Sequence, residues 1–303
     1  MVGQAVKPRK MRLSLEDTVY YVFIYVFSLL LLLSVLYPVV FIISASFSSP
    51  FAISSGQVVL LPVDPGLQGY RAVFKDSRIL IGYRNTLFYT VIGSVINVAM
   101  TLICAYPLSR KRLPHRGPLT FFFTFTMLFS GGMIPGYLLL RDLHMLNTVW
   151  AMLIPGAISV YSMIITRTFI ATSIPDELLE ATQIDGCSDF RFFFLFVLPL
   201  SKAVIAVIAM QYAVGHWNAY FNAFIYLTKK ELYPLQVFLR EILVMNQIAA
   251  NNILDPEAAV AMQGLADLLK YSLIVISSAP ILCIYPFFQK YFVKGVMIGS
   301  IKG

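Results

Sequence analysis

Long apolar runs separated by short polar breaks dominate the chain. About 20 apolar residues in a helix cover a hydrocarbon layer about 30 Å thick. On that rule the runs predict six membrane-spanning helices, at roughly 18–43, 84–107, 119–140, 148–171, 200–228 and 268–289. The pattern predicts an all-α integral membrane protein, with tails at 1–17 and 290–303 and a first transmembrane helix at 18–43. A five-helix core follows at 84–289 and contains a loop at 229–267. The segment 44–83, dense in turn formers at Ser49-Pro50, Leu61-Pro62 and Asp64-Pro65-Gly66, is expected to be an external loop. The first run far exceeds the apolar core of a signal peptide and is expected to remain as an anchor.

One polar, acidic island interrupts this pattern, from Ser173 to Pro199. Pro175 suits a first helical turn, and Asp176 and Glu177 complement the positive helix end. Leu178, Leu179 and Ile184 then recur as an apolar face. Gly186 supplies the left-handed residue that ends this helix, and Ser188 with Asp189 caps a second one that rises into the next apolar run. The expected unit is helix, glycine turn, helix.

Composition agrees with a membrane protein: 58% of residues are hydrophobic and only 13% charged. The formal charge of +8 would suit nucleic acid, but the basic residues cluster beside apolar runs, where topology explains them, so no nucleic-acid partner is expected. Lys7, Arg9, Lys10 and Arg12 precede the first run, and Arg110, Lys111, Arg112 and Arg116 crowd one short turn. The positive-inside rule then puts both termini and the acidic island in the cytoplasm. Cys104, Cys187 and Cys283 lack metal-ligand spacing, and no metal site is expected. Away from their ends the runs hold essentially no Asp, Glu, Lys or Arg, which argues against an ion-coupled transporter. The phosphate-loop pattern G-x-x-x-x-G-K-[ST] does not occur, so nucleotide is expected on a partner; with no nucleophile, acid and base triad evident, the chain is not expected to be an enzyme.

Glu180-Ala181-Thr182, then Gly186, then, after nine intervening residues, Phe196-Val197-Leu198-Pro199 resemble a family pattern. That pattern, EAA, three residues, Gly, nine residues, Ile-x-Leu-Pro, marks the membrane subunits of ATP-driven importers. Thr182 replaces the second Ala and Phe196 the Ile. Ala105-Tyr106-Pro107-Leu108-Ser109-Arg110 is similar to the Ala-Tyr-x-x-Ser-Arg that closes the equivalent helix in carbohydrate importer subunits. Four further stretches resemble the branch that takes up oligosaccharides derived from complex polysaccharides: Phe129-Ser130-Gly131-Gly132-Met133-Ile134-Pro135, Trp217 to Asn222, Tyr233-Pro234-Leu235-Gln236, and the tail from Gln289 to Gly303.

The resemblance covers nearly the whole chain and implies a permease of the maltose-permease-like superfamily, with the type I ABC importer permease fold and cytoplasmic coupling helices. It implies a multi-pass protein of the bacterial inner (cytoplasmic) membrane. The partners it implies are a second six-helix-type permease subunit, two ATPase subunits, an external solute-binding protein, an oligosaccharide and membrane lipid. ATP and Mg would sit on the ATPase subunits, with no cofactor on this chain. Within the loop 173–199, the set implied to couple to the ATPase is Glu177, Glu180, Ala181, Thr182, Asp185, Gly186, Leu198 and Pro199. The loop 229–267 would reach toward the loaded binding protein. An importer of another small solute, a secondary transporter and a membrane scaffold are the alternatives.

Two sets of residues bear on a substrate path. Gly131, Gly132 and Pro135 would break a helix at membrane depth, either lining a cavity or making a kink or close helix crossing. Gln211, His216, Trp217, Asn218, Tyr220 and Asn222 bring aromatic faces and hydrogen-bonding groups to the fifth run, as a sugar path needs. The same residue types serve interface belts and helix packing.

Overall fold

A computed structural model describes residues 14–251 and 256–300, and among these every regular element is a helix. The basic residues from Lys7 to Arg12, and Lys302-Gly303, lie outside the described residues. The chain divides into two units, one formed by residues up to Tyr70 with 252–275, the other by Arg71–Asn251 with the remainder.

In the first unit, α1 (Leu15–Phe47) opens with a capping box: the Ser14 side chain accepts from Glu16 N–H, and the Asp17 carboxylate accepts from Ser14 N–H. From Leu15 to Val39 every side chain is exposed, an apolar surface that suits hydrocarbon and not water. The helix continues past residue 43, and the serines at its end satisfy their hydroxyls on its own carbonyls. Ser46 Oγ donates to the Ile43 carbonyl and Ser48 Oγ to the Ser44 carbonyl, each at 2.7 Å. Beyond it, α2 (Pro50–Ser54) and the Ala45, Ala52 and Val58 cluster pack with Phe41, whose ring meets Tyr271 edge-on at 5.5 Å. Tyr271 belongs to α15 (Pro256–Ser300). The expected loop 44–83 is therefore shorter and partly helical, since α3 (Gln68–Lys75) and the first residues of α4 (Ser77–Ser109) also fall within it.

The second unit is built on α4. Asp76 caps it, accepting from Arg78 N–H at 3.0 Å, and the paired Arg78 guanidinium at 2.6 Å holds the Asp76 carboxyl below the usual carboxylate range. Gly82, Asn85, Thr86, Tyr89, Gly93, Asn97, Thr101 and Ala105 are all buried, at intervals of three or four residues apart from the adjacent pair Asn85 and Thr86. Leu80, Leu87, Val91, Val95 and Ile103 point outward. The helix carries small and polar groups on its protein face and aliphatic groups on its outer face, which is how helices associate in lipid.

Around α4 lie α5 (Arg116–Leu128), α6 (Met133–Asp142), α7 (Trp150–Leu153), α8 (Val160–Ser173) and α9 (Asp176–Ile184). There follow α10 (Asp189–Phe192), a π-helical turn (Phe193–Val197), α11 (Leu198–Leu200), α12 (Lys202–Trp217), α13 (Phe221–Tyr226), a 3-10 turn (Lys230–Leu232) and α14 (Leu235–Asn251). The principal partners of α4 are α12, α8 and α14.

Three stretches are continuous and apolar enough to cross a membrane: Leu15–Phe47, Ser77–Ser109 and Ala261–Gln289. Two more qualify as bent pairs, α5 with α6 at 112° and the Asp189–Leu200 segment with α12 at 79°. The run 148–171 is not one helix. It breaks at Pro155-Gly156, where Gly156 has φ +73°, and leaves only the four residues of α7 before it. The run 200–228 ends as a helix at Trp217, and the expected tail from 290 continues α15 as far as Ser300. The expected loop 229–267 contains the 17 residues of α14.

Candidate functional site

The acidic island folds as helix, glycine turn, helix. Pro175 stands in extended conformation just before α9, and Asp176 and Glu177 occupy the first turn. At its other end Cys187 N–H donates to the Thr182 carbonyl at 2.9 Å and Gly186 N–H to the Gln183 carbonyl at 3.0 Å. This closure requires a left-handed residue, and Gly186 supplies it at φ +80°. Ser188 then caps α10, accepting from Arg191 N–H.

Leu179 is buried with Ile170, Ile174, Phe192 and Val197, and Leu178 packs beside them. Ile184, expected on the same apolar face, is instead 87% exposed. The reason is geometric: five residues beyond Leu179 is well over a third of a turn away, whereas Ile184 lies four beyond Glu180 and seven beyond Glu177. Glu177, Glu180, Ala181 and Ile184 therefore form one outward face, an aliphatic centre with two carboxylates beside it. Asp185 is also exposed, Thr182 is half-buried with its hydroxyl on the Leu179 carbonyl, and Leu198 and Pro199 lie beyond the π turn in α11.

A residue outside the expected set anchors this unit. Arg110, just past the end of α4, is buried, and its Nη1 donates to the Ile174 carbonyl at 3.0 Å and to Asp176 Oδ1 at 3.1 Å. Tyr106 and Phe192 flank the guanidinium at 5.3 and 5.8 Å from their ring centroids. Nearby, Arg112 Nη1 donates to Gln183 Oε1 at 2.7 Å and Gln183 Nε2 to Asp189 Oδ1 at 2.8 Å. The basic turn after α4 thus grips both helices of the island. An apolar groove of about 770 Å³ opens beside it, between Val95, Ala99 and Ile103 of α4 and Phe190 and Phe194.

The expected path residues are not brought together as one lining. Trp217 is buried, donating from Nε1 to the Ser277 carbonyl at 2.9 Å. His216 Nε2 meets Asn97 Oδ1 at 2.6 Å, while Asn97 Nδ2 donates to the carbonyls of Gly156 and Ala157 at 3.3 and 2.9 Å. With the amide hydrogens committed to carbonyls, Oδ1 accepts, so the imidazole carries a proton on Nε2. Gly93 lies against the same ring, leaving no room for a Cβ. These two residues hold helices together. Gln211 accepts from Ser162 Oγ, Asn218 caps α12 by donating to the Val214 carbonyl, and both remain exposed. Tyr220 stacks on Phe224 at 5.7 Å, and Asn222 is exposed on α13. Gly131 and Gly132 sit exposed in the bend between α5 and α6, with Gly132 at φ +85°, and Pro135 falls in the first turn of α6, where a missing N–H costs nothing.

Sequence reading passed over Asn97 and Tyr212. Tyr212 OH accepts from Ser159 N–H at 3.0 Å and meets Thr101 Oγ1 at 2.7 Å, so together these two side chains satisfy backbone groups freed where α7 and α8 separate. An asparagine in the middle of an apolar run was the signal available.

The sequence matches the family of inner membrane components of binding-protein-dependent transport systems over residues 79–298. It is 38% identical over 293 residues to the polygalacturonan/rhamnogalacturonan transport system permease protein YtcP of Bacillus subtilis, covering 97% of this chain and all of that one. It is 39% identical to protein LplC of the same organism, covering 88% of this chain and 89% of that one. Among solved structures, a chain from a bacterial ABC transporter involved in the import of the acidic polysaccharide alginate superposes with a TM-score of 0.83 at 33% identity, covering 93% of this chain and all of that one. The chain belongs to the family of binding-protein-dependent transport system inner membrane components and has the type I ABC permease fold.

Proposed function

We propose that the chain is the permease subunit of an importer for oligosaccharides released from complex polysaccharides, and that α9 is the element through which a separate ATPase drives it. The observation that carries this reading is the outward face of Glu177, Glu180, Ala181 and Ile184, presented by a helix whose rear is locked to α4, α8 and α10. A surface of that kind suits a cleft with an apolar floor and basic rims. ATP and Mg belong on the two ATPase subunits; a second permease subunit completes the membrane part, and an external binding protein delivers the sugar. The names of the relatives support the substrate class. Six crossings follow if each bent pair counts as one and α7 with α8 as another, with both termini cytoplasmic.

The test uses the complex assembled in membranes. Gly186→Val forces a branched side chain onto φ +80°, a strain on the order of 1 kcal/mol or more, and re-aims α10. Glu180→Lys reverses one charge of the docking face. Both variants are expected to insert normally, retain less ATPase on purification and lose sugar-stimulated hydrolysis. Unchanged ATPase retention and stimulation in both would refute the coupling role.

A further inference from the structure

Arg240 lies on α14 with its guanidinium carbon 5.0 Å from the ring centroid of Tyr220 and 5.2 Å from that of Phe224. The two rings are stacked on each other, so the guanidinium rests on an aromatic platform supplied by Tyr220 and α13. It is exposed and makes no ion pair among the described residues. Glu241, next to it in sequence, forms no ion pair with it among the described residues. Phe221, Asn222 and Phe224 of α13 are also exposed.

A guanidinium braced against aromatic rings and without an ion pair keeps N–H groups available to a ligand. Those groups match a carboxylate in a bidentate pair, and the weak hydration of the guanidinium makes Arg better suited to the task than Lys. Exposed aromatic faces cover the apolar side of a sugar ring. An arginine beside exposed aromatic rings suits one ligand class, a sugar that carries a carboxylate.

We propose that Arg240, braced on Tyr220 and Phe224, binds the carboxylate of a uronic-acid residue of the transported oligosaccharide. The proposal rests on the oligosaccharide reading above and narrows it to acidic sugars.

The experiment compares two probes in the reconstituted complex: oligogalacturonides, and the same oligomers with their carboxyl groups reduced to hydroxymethyl groups. Arg240→Gln is expected to lower uptake of the acidic probe about tenfold or more, as loss of a charge-assisted pair does, with assembly and basal ATP hydrolysis unchanged. Uptake of the reduced probe is expected to stay within about twofold, because neutral contacts are kept. Arg240→Lys should fall between wild type and Arg240→Gln for the acidic probe. Equal losses for both probes, or no loss for either, would overturn the carboxylate site while leaving the importer reading intact. If the wild type takes up only the acidic probe, the series Arg240→Lys, →Gln, →Glu must lower uptake stepwise, and a flat series overturns the proposal. If the wild type takes up neither probe, the substrate reading itself falls, and this proposal with it.

Discussion

Arg110 shows how one side chain joins two parts of the molecule. It opens the basic turn after α4, yet its hydrogen bonds run to the carbonyl of Ile174, where α8 ends, and to the first acid of α9. Removing it leaves Asp176 and the Ile174 carbonyl short of a donor in a largely closed setting, at a cost of about 1–3 kcal/mol for each group left unpaired. Arg110→Gln is expected to leave the complex assembled but to raise the ATP hydrolysed per sugar moved, since α9 would no longer carry α4 with it; Arg110→Lys, keeping charge without the planar fork, should recover only part of the coupling. Proteoliposomes in which hydrolysis and uptake are read together decide this, and an unchanged ratio in Arg110→Gln would show the contact to be structural only. At this scale the sequence was legible where backbone geometry dictates the residue: Gly186 could be read as left-handed and Ser188 as a cap because few residues serve there. The partner of Arg110 was not legible, because residues 110 and 176 meet only once three helices have packed.

Elements were legible where length and hydropathy decide them, and illegible where satisfied backbone groups let a helix break inside an apolar run. The break in 148–171 needs Asn97 and Tyr212, both supplied by other helices, so no local reading finds it. The π turn Phe193–Val197 is a second case. Phe192 and Val197 are both fully buried although five residues apart, a spacing that an α-helix would place on different faces. One extra residue in the turn realigns them. Deleting Leu195, which is exposed, is expected to convert the turn to α-helix with Phe192 and Val197 at i, i+4 and the core kept. Thermal unfolding of the purified complex checks it: a midpoint within a few degrees of wild type is expected, whereas failure to assemble would mean that the wider turn is needed for the fold.

For the whole molecule, the membrane class could be read from the apolar runs, because lipid imposes a strict length rule on helices, while the transport role was legible only through the resemblance that Glu180, Gly186 and Pro199 carry. The proposed orientation rests on the basic turn. If that turn is cytoplasmic, a cysteine at the exposed Lys111 is expected to react with an impermeant thiol reagent only after cells are opened. The background must lack Cys104, Cys187 and Cys283, all of which are free thiols. Labelling in intact cells would invert the topology. The polar inner face of α4 also says something about biogenesis. Emerging early in the chain, α4 enters the bilayer with Asn85, Thr86, Asn97 and Thr101 lacking the partners they acquire from residues 156 to 235. Until that later half is made, the helix carries polar side chains in lipid without their partners, at a cost for each group left unpaired. A chain cut short before α8 is expected to hold Asn85, Thr86 and Thr101 without the groups that later lock them in place.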